Sequence, residues 1–129
     1  MWDLNIDKMR NKIMSESNIT FRDLGLSEAM LRALEAKGYG WPTTIQAEAI
    51  PHFMQWKDVI AKAPTGTGKT FAFGIPMIEH VDASSEEVQG LILAPTRELA
   101  IQIGDELRSL LTYYQNIRVA VLYGGAGIG

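Results

Sequence analysis

Residues 63–70 contain the glycines and polar side chains that a phosphate-binding loop needs. They read Ala-Pro-Thr-Gly-Thr-Gly-Lys-Thr, which fits that pattern with Ala in the place of its first Gly. Glycines allow the backbone to curl so that successive N–H groups point at phosphate oxygens. The lysine can neutralise the β- and γ-phosphates, and the last hydroxyl can bind Mg²⁺. We therefore predict a nucleotide-phosphate site formed by Ala63, Pro64, Thr65, Gly66, Thr67, Gly68, Lys69 and Thr70. The alternative is a glycine-rich turn without a ligand.

The elements around this loop alternate between strand and helix. Short, continuous apolar runs predict strands that are buried on both faces, at Val59–Ala61, Leu91–Ala94 and Val119–Tyr123. Helical spacing predicts helices between them, at about 70–81 and 96–114. This alternation predicts a parallel sheet with right-handed helical crossovers.

The part of the chain before the first predicted strand has helical signals. Ser27 is a good N-cap for a helix that extends to Lys37, and a second helix is expected after Pro42, with Pro51 bending or restarting it. Residues 1–18 are expected to be an N-terminal extension, in which Leu4 and the later apolar residues are loosely spaced as in a helix.

Further motifs lie on both sides of the phosphate loop. Phe21 lies seventeen residues before the run Gly38–Gln46, which reads Gly-Tyr-Gly-Trp-Pro-Thr-Thr-Ile-Gln. Pro95–Ala100 reads Pro-Thr-Arg-Glu-Leu-Ala, and a Gly pair follows at positions 124 and 125. In this order, over about residues 19–125, the motifs resemble the Q motif, motif I, motif Ia and GG element of DEAD-box RNA helicases.

The resemblance implies an α/β fold, the RecA-like parallel sheet of P-loop NTPases with flanking helices, incomplete in this chain. Residues 19–129 would be the N-terminal part of the first RecA-like domain. The implied cofactors are ATP and Mg²⁺, and the implied partners are RNA and the remainder of the helicase core. The parent protein would couple ATP binding and hydrolysis to RNA unwinding.

Three side chains ahead of the loop could recognise adenine. Phe21 and Tyr39 offer flat rings for stacking. The Gln46 carboxamide can accept from the adenine N6–H and donate to N7. For Gln46 the alternative is a capping box with Thr43, in which it satisfies a helix N-terminus, and the two roles are compatible. For Phe21 the alternative is a core aromatic residue.

The predicted strand Leu91–Ala94 leads into a candidate RNA surface. Ligands bind at the carboxyl edge of open α/β sheets. The resemblance implies RNA backbone contacts there from Pro95, Thr96, Arg97, Gly124 and Gly125. Without the resemblance, Arg97 and Glu98 would be interpreted as a solvated helix start.

Composition limits how such a surface could work. The 129 residues carry 12 basic and 15 acidic side chains, a net charge of −3. A protein that binds nucleic acid through bulk charge is usually basic, so we expect weak, sequence-indifferent RNA binding.

No apolar run is long enough to span a bilayer. The absence of cysteine fits a reducing compartment, and we expect a cytoplasmic protein without a membrane partner.

The chain also lacks parts that catalysis needs. No acidic residue follows the second or third predicted strand, where a P-loop ATPase holds Mg²⁺ and activates water. The family's Asp-Glu-Ala-Asp tetrapeptide and second domain are absent as well, so we expect a fragment that does not hydrolyse ATP alone. The alternatives are a non-hydrolysing nucleotide-binding module and another P-loop NTPase without a nucleic-acid role.

The resemblance also implies that the strand before the phosphate loop is unpaired in this chain. In that family, the neighbours of the phosphate-loop strand come from later in the chain. The backbone of Val59–Ala63 would then be open at both edges, and such edges recruit other chains. We expect self-association through strand addition or exchange, or partial order around the loop.

Overall fold

The computed structural model describes residues 2–5, 19–62 and 68–124, which contain two strands and four α-helices. A short 3-10 turn lies at Arg22–Leu24, before the first helix. The strands are β1 (Trp2–Asn5) and β2 (Val59–Lys62); the helices are α1 (Glu28–Ala36), α2 (Thr44–Met54), α3 (Lys69–Glu79) and α4 (Arg97–Ser109).

The two strands form a parallel sheet. Trp2 lies opposite Val59, and Asn5 lies opposite Lys62. The strand predicted at Val59–Ala61 is therefore confirmed and is one residue longer. The expectation that both of its edges are open is wrong, because β1 hydrogen-bonds to one of them. The helical pattern is also wrong at Leu4, because backbone pairing with β2 holds this residue in a strand. The later apolar residues of that pattern lie outside the described part of the chain.

The other two predicted strands do not form. Leu91–Ala94 and Val119–Tyr123 pair with no strand among the described residues. They are not buried on both faces either, because Leu91 is 76% exposed and Leu93 is 86% exposed. Apolar composition favours a strand, but a strand also needs a neighbour to accept its backbone hydrogen bonds.

Side-chain caps begin three of the described helices, at Ser27 and Thr43 as the sequence predicts and also at Thr96, where the sequence predicted a helix start but no cap. The Ser27 hydroxyl accepts from the Met30 N–H, the Thr43 hydroxyl accepts from the Gln46 N–H, and the Thr96 hydroxyl accepts from the Leu99 N–H. Each cap satisfies a backbone donor that the first turn of a helix leaves unpaired.

Two helix predictions need correction. Helix α2 continues through Pro51, so the restart is wrong and the bend stays a prediction. Helix α4 ends at Ser109 and not at Tyr114. Beyond Ser109 the backbone N–H groups bond three residues back, as from Leu110 to Leu107 and from Tyr114 to Leu111, so the chain tightens into successive turns.

A core of buried side chains joins the helices. Helix α1 contributes the fully buried Met30 and Leu34, and α2 contributes Ile50. Further members come from the preceding turn, from α3 and from the end of α4: Phe21, Leu26, Phe71, Ile75, Ile78, Leu107 and Leu110. Ile45, Ala49 and Ala72 form a second cluster between α2 and α3, against which Val59 of β2 packs.

A polar network fixes the far end of α3. The Glu79 carboxylate accepts from the Ser27 N–H at 2.7 Å and from the Ser27 hydroxyl at 2.9 Å. The Tyr114 hydroxyl also donates to Glu79. Burial and this contact raise the pKa of the Tyr114 phenol. The carboxylate therefore links the start of α1, the end of α3 and the turns after α4.

We predict that Tyr114→Phe lowers the free energy of unfolding by about 1–2 kcal/mol, because it removes a donor from a part-buried carboxylate. The phenol pKa is raised in the folded chain and ordinary, about 10, in the unfolded chain. The contribution of Tyr114 is thus complete below about pH 10 and is lost as the pH rises further.

Urea denaturation at neutral and alkaline pH measures both effects, and Tyr113→Phe is the control because Tyr113 stacks on Arg32 outside this network. Equal stability of the Tyr114→Phe variant and the unsubstituted chain would contradict the assigned role.

Candidate nucleotide and nucleic-acid site

The Gln46 side chain connects two parts of the candidate nucleotide site. It is 4% exposed and lies in the first turn of α2. Its Oε1 accepts from the Thr43 N–H at 2.9 Å, which completes the capping box. Its Nε2 donates to the Gly68 carbonyl at 3.2 Å, on the last residue before α3. The capping-box alternative is therefore confirmed, and the same amide also contacts the phosphate loop.

Gly68 is the residue that makes this approach possible. Its φ of +86° lies in the left-handed region, which glycine adopts without strain. A Cβ at this position would lie 2.5 Å from Gln46 Nε2 and 2.9 Å from Thr43 Oγ1. The backbone conformation and the close packing against α2 therefore both require glycine here.

The two predicted stacking rings differ in their surroundings. Tyr39 is 47% exposed, and its ring meets Phe71 of α3 edge to face, with centroids 5.5 Å apart. The Lys37 ammonium lies 5.8 Å from the Tyr39 ring centroid. Phe21 is only 5% exposed and belongs to the core, as the alternative for this residue expects. Tyr39 thus has exposed ring surface next to Phe71 of α3, while contact of either ring with adenine stays a prediction.

The loop leads directly into α3. Lys69 is exposed in the first turn of this helix, and Thr70 is half-buried beside it. No side chain caps this N-terminus, since its N-cap is Gly68. The remaining predicted loop residues lie outside the described part of the chain: Ala63, Pro64, Thr65, Gly66 and Thr67.

Most of the predicted RNA-binding residues lie along one cleft of about 310 Å³. Pro95, Thr96 and Arg97 line it from the start of α4, and Gly124 lines it from the segment that follows Val119–Tyr123. The structure therefore brings together two motifs that are far apart in the sequence. Gly125 lies outside the described residues.

Two aromatic residues beside these sites were not among the predicted site residues. Phe71 supports the Tyr39 ring, and Tyr123 lies under the Arg97 guanidinium, 5.3 Å from its Cζ to the ring centroid. Phe71 follows the phosphate loop directly, and Tyr123 precedes the Gly pair. Their proximity to these motifs in the sequence is the signal that could have identified them as site residues.

The DEAD/DEAH box helicase family model matches residues 43–128, which is well over half of the chain. This chain belongs to that family. The match contains Gln46, the phosphate loop, the Pro95–Ala100 segment and Gly124, so the sequence resemblance is confirmed. The described residues are accordingly part of an α/β RecA-like P-loop NTPase fold, in which the sheet has two strands.

Curated and solved relatives agree with this assignment. The chain is 51% identical over 109 residues to the DEAD-box ATP-dependent RNA helicase CshA of Bacillus cereus. A crystal structure of a DEAD box protein from Methanococcus jannaschii matches with a TM-score of 0.79 and 42% identity over 85% of this chain and 30% of that one. Dbp5 of S. cerevisiae, bound to RNA and ADP BeF3, matches with a TM-score of 0.72 and 32% identity over 76% and 25%.

The match to CshA covers 84% of this chain but only 21% of that protein. The chain therefore corresponds to about a fifth of the relative's length. None of the helices in the described ranges combines the length and apolarity that crossing a membrane requires.

We predict that Gly68→Ala destabilises the fold by about 2–3 kcal/mol, because it adds a clash with Gln46 and Thr43 to the cost of a left-handed alanine. Gly38→Ala is the matched control. Gly38 has a φ of +81° but nothing within 4 Å of its Cβ position, so only the backbone cost of about 1 kcal/mol applies. Chemical denaturation compares the two variants, and equal losses of stability would show that the contact of Gly68 with α2 is unimportant.

Proposed function

We propose that this chain supplies the ATP-binding site and part of the RNA-binding surface of an ATP-dependent RNA helicase. The observation that carries this proposal is the buried Gln46 carboxamide, which bridges the α2 cap and the last residue of the phosphate loop before α3. Family membership supports RNA unwinding coupled to ATP hydrolysis as the activity of the longer protein.

Adenine recognition is supported by the hydrogen-bonding capacity that Gln46 has left. A carboxamide has two N–H donors and two acceptor positions on its oxygen. One donor is used on Gly68 and one acceptor position on Thr43. The second donor and acceptor position match adenine N7 and N6–H, and stacking on Tyr39 would hold the base in plane. Adenine binding therefore needs no loss of the contact between α2 and the loop.

Phosphate binding is supported by the start of α3. The N-terminus of this helix has no side-chain cap, so its N–H groups and the positive end of its dipole suit an anion. Lys69 would neutralise the β- and γ-phosphates, and the backbone N–H groups of residues 65–68 would donate hydrogen bonds to them. The Thr70 hydroxyl would bind Mg²⁺, which supplies charge neutralisation between the phosphates.

The proposed RNA surface is the cleft at the start of α4. Thr96, Arg97 and the first N–H groups of α4 would hold the sugar–phosphate backbone, with Pro95 and the Gly124–Gly125 pair beside them. Such contacts position a strand without reading its bases. Dbp5, a structural neighbour, was solved bound to RNA, which supports the same class of ligand for this chain. The expectation that the chain alone does not hydrolyse ATP stays a prediction.

We predict that Lys69→Ala weakens ATP binding by about 2–4 kcal/mol, because it removes the cation and keeps the backbone of the loop. Isothermal titration calorimetry measures the change. Lys57→Ala is the control, since Lys57 precedes the other end of β2. Unchanged affinity in the Lys69→Ala variant would mean that the loop is a glycine-rich turn without a ligand.

We predict that Gln46→Ala reduces the preference for ATP over GTP about tenfold, because it removes the oxygen that accepts from adenine N6–H and opposes guanine O6. Adenine and guanine share the N7 acceptor, and loss of the Gly68 contact affects both triphosphates, so the ratio of the two affinities isolates recognition at position 6 of the base. Gln55→Ala makes the same chemical change at the other end of α2 and should leave the ratio unaltered. A full ATP preference in the Gln46→Ala variant would exclude Gln46 from base recognition.

A further inference from the structure

The segment Val119–Tyr123 packs against α4 through every second residue. The Val119 carbonyl accepts from Arg108 Nη2 at 3.0 Å, near the end of the helix. The Val121 side chain lies where a Cβ on Gly104 would approach it to 2.4 Å. Tyr123 lies under Arg97, in the first turn. Residues 119, 121 and 123 therefore face the helix, which agrees with the alternating exposure along this segment.

The dimensions of the two elements fit this arrangement. An extended segment rises about 3.3 Å per residue, so residues 119 and 123 lie about 13 Å apart. Helix α4 rises about 1.5 Å per residue, so Arg97 and Arg108 lie about 16 Å apart along its axis. The segment thus runs antiparallel to α4 and is anchored near both ends. Its position fixes the Tyr123 ring at the edge of the cleft.

We infer that Tyr123 is a positioning residue, which holds the Arg97 guanidinium in the orientation that binds an RNA phosphate. This inference rests on the proposed RNA-binding function of the cleft. Arg97 is exposed and makes no ion pair among those formed by the described residues. A planar guanidinium stacks well on an aromatic face, and stacking leaves its N–H donors at the rim free for a phosphate. The ring thus reduces the rotamer freedom that binding would otherwise have to remove.

The chain offers a matched control for this pair. Arg32 lies over the ring of Tyr113 with 4.4 Å between its Cζ and the ring centroid. Tyr113 is 40% exposed and is not among the residues of the cleft. Tyr113→Leu therefore removes an equivalent arginine–tyrosine contact away from the proposed RNA surface.

The experiment measures binding of a fluorescein-labelled single-stranded RNA to the full 129-residue chain by anisotropy, at low ionic strength, where phosphate contacts are strongest. We expect Tyr123→Leu to raise the Kd about two- to fivefold, and Tyr123→Phe and Tyr113→Leu to leave it unchanged. In an Arg97→Ala background, Tyr123→Leu should add nothing. If Tyr123→Leu does not fold, as judged by circular dichroism, Tyr123→Met replaces it and keeps an apolar side chain against α4.

Four other results would contradict either the role of Tyr123 or the proposed function of the cleft. A further loss when Tyr123→Leu is combined with Arg97→Ala would show that Tyr123 contacts RNA directly, and this would overturn the positioning role. Equal losses in Tyr123→Phe and Tyr123→Leu would overturn it too, since the ring would not be the active feature. If Arg97→Ala alone leaves the Kd unchanged, the proposed function of the cleft fails. If Arg97→Ala weakens binding and Tyr123→Leu does not, only the inference about Tyr123 fails.

Discussion

The Gln46 carboxamide is the contact on which the candidate nucleotide site depends. It must satisfy the start of α2 and hold the Gly68 carbonyl at the start of α3, and it does both from a buried position. A buried amide that lost either partner would leave a polar group without a hydrogen bond, at a cost of about 1–3 kcal/mol. The packing of Ile45, Ala49 and Ala72 between the same two helices keeps this distance short. The packing of α2 against α3 therefore also fixes the position of Gly68, the last loop residue before α3.

This arrangement also shows why a structural role and a recognition role need not exclude each other. The capping box uses half of the carboxamide's acceptor capacity, and Gly68 uses half of its donor capacity. What is left matches the donor and acceptor edge of adenine. The glycine at position 68 serves the same end, because any side chain there would push α2 away from the loop.

Local signals in the sequence predicted the helices well. Ser27 and Thr43 each cap a helix at the expected residue, because capping depends on neighbours within one turn. The candidate site residues show the same difference between local and distant signals. The phosphate loop and its flanking motifs could be predicted because each motif is contiguous in the sequence. The contact between Gln46 and Gly68 could not be predicted, because it joins residues 22 positions apart.

The sheet was the least predictable part, for a related reason. The strand β2 follows from its composition, but its partner β1 comes from a segment with helix-like spacing. Leu91 and Leu93 have the composition of a strand and no partner strand among the described residues, so they expose most of their surface. An apolar run indicates that a segment tends to be buried. Whether it pairs as a strand depends on which other segments are available to pair with the same sheet edge.

The two roles of Gln46, in holding the loop and in recognising adenine, can be measured directly on its side-chain amide. In a ¹⁵N-labelled chain its two N–H resonances can be identified by their loss in the Gln46→Glu variant. We predict that one N–H exchanges slowly without nucleotide, because it donates to Gly68. We expect ATP to shift the other N–H resonance, and GTP to shift it much less, because guanine O6 opposes the Gln46 oxygen and weakens binding of the base. Two N–H groups that exchange like those of an exposed glutamine, and that do not respond to ATP, would contradict this role of Gln46.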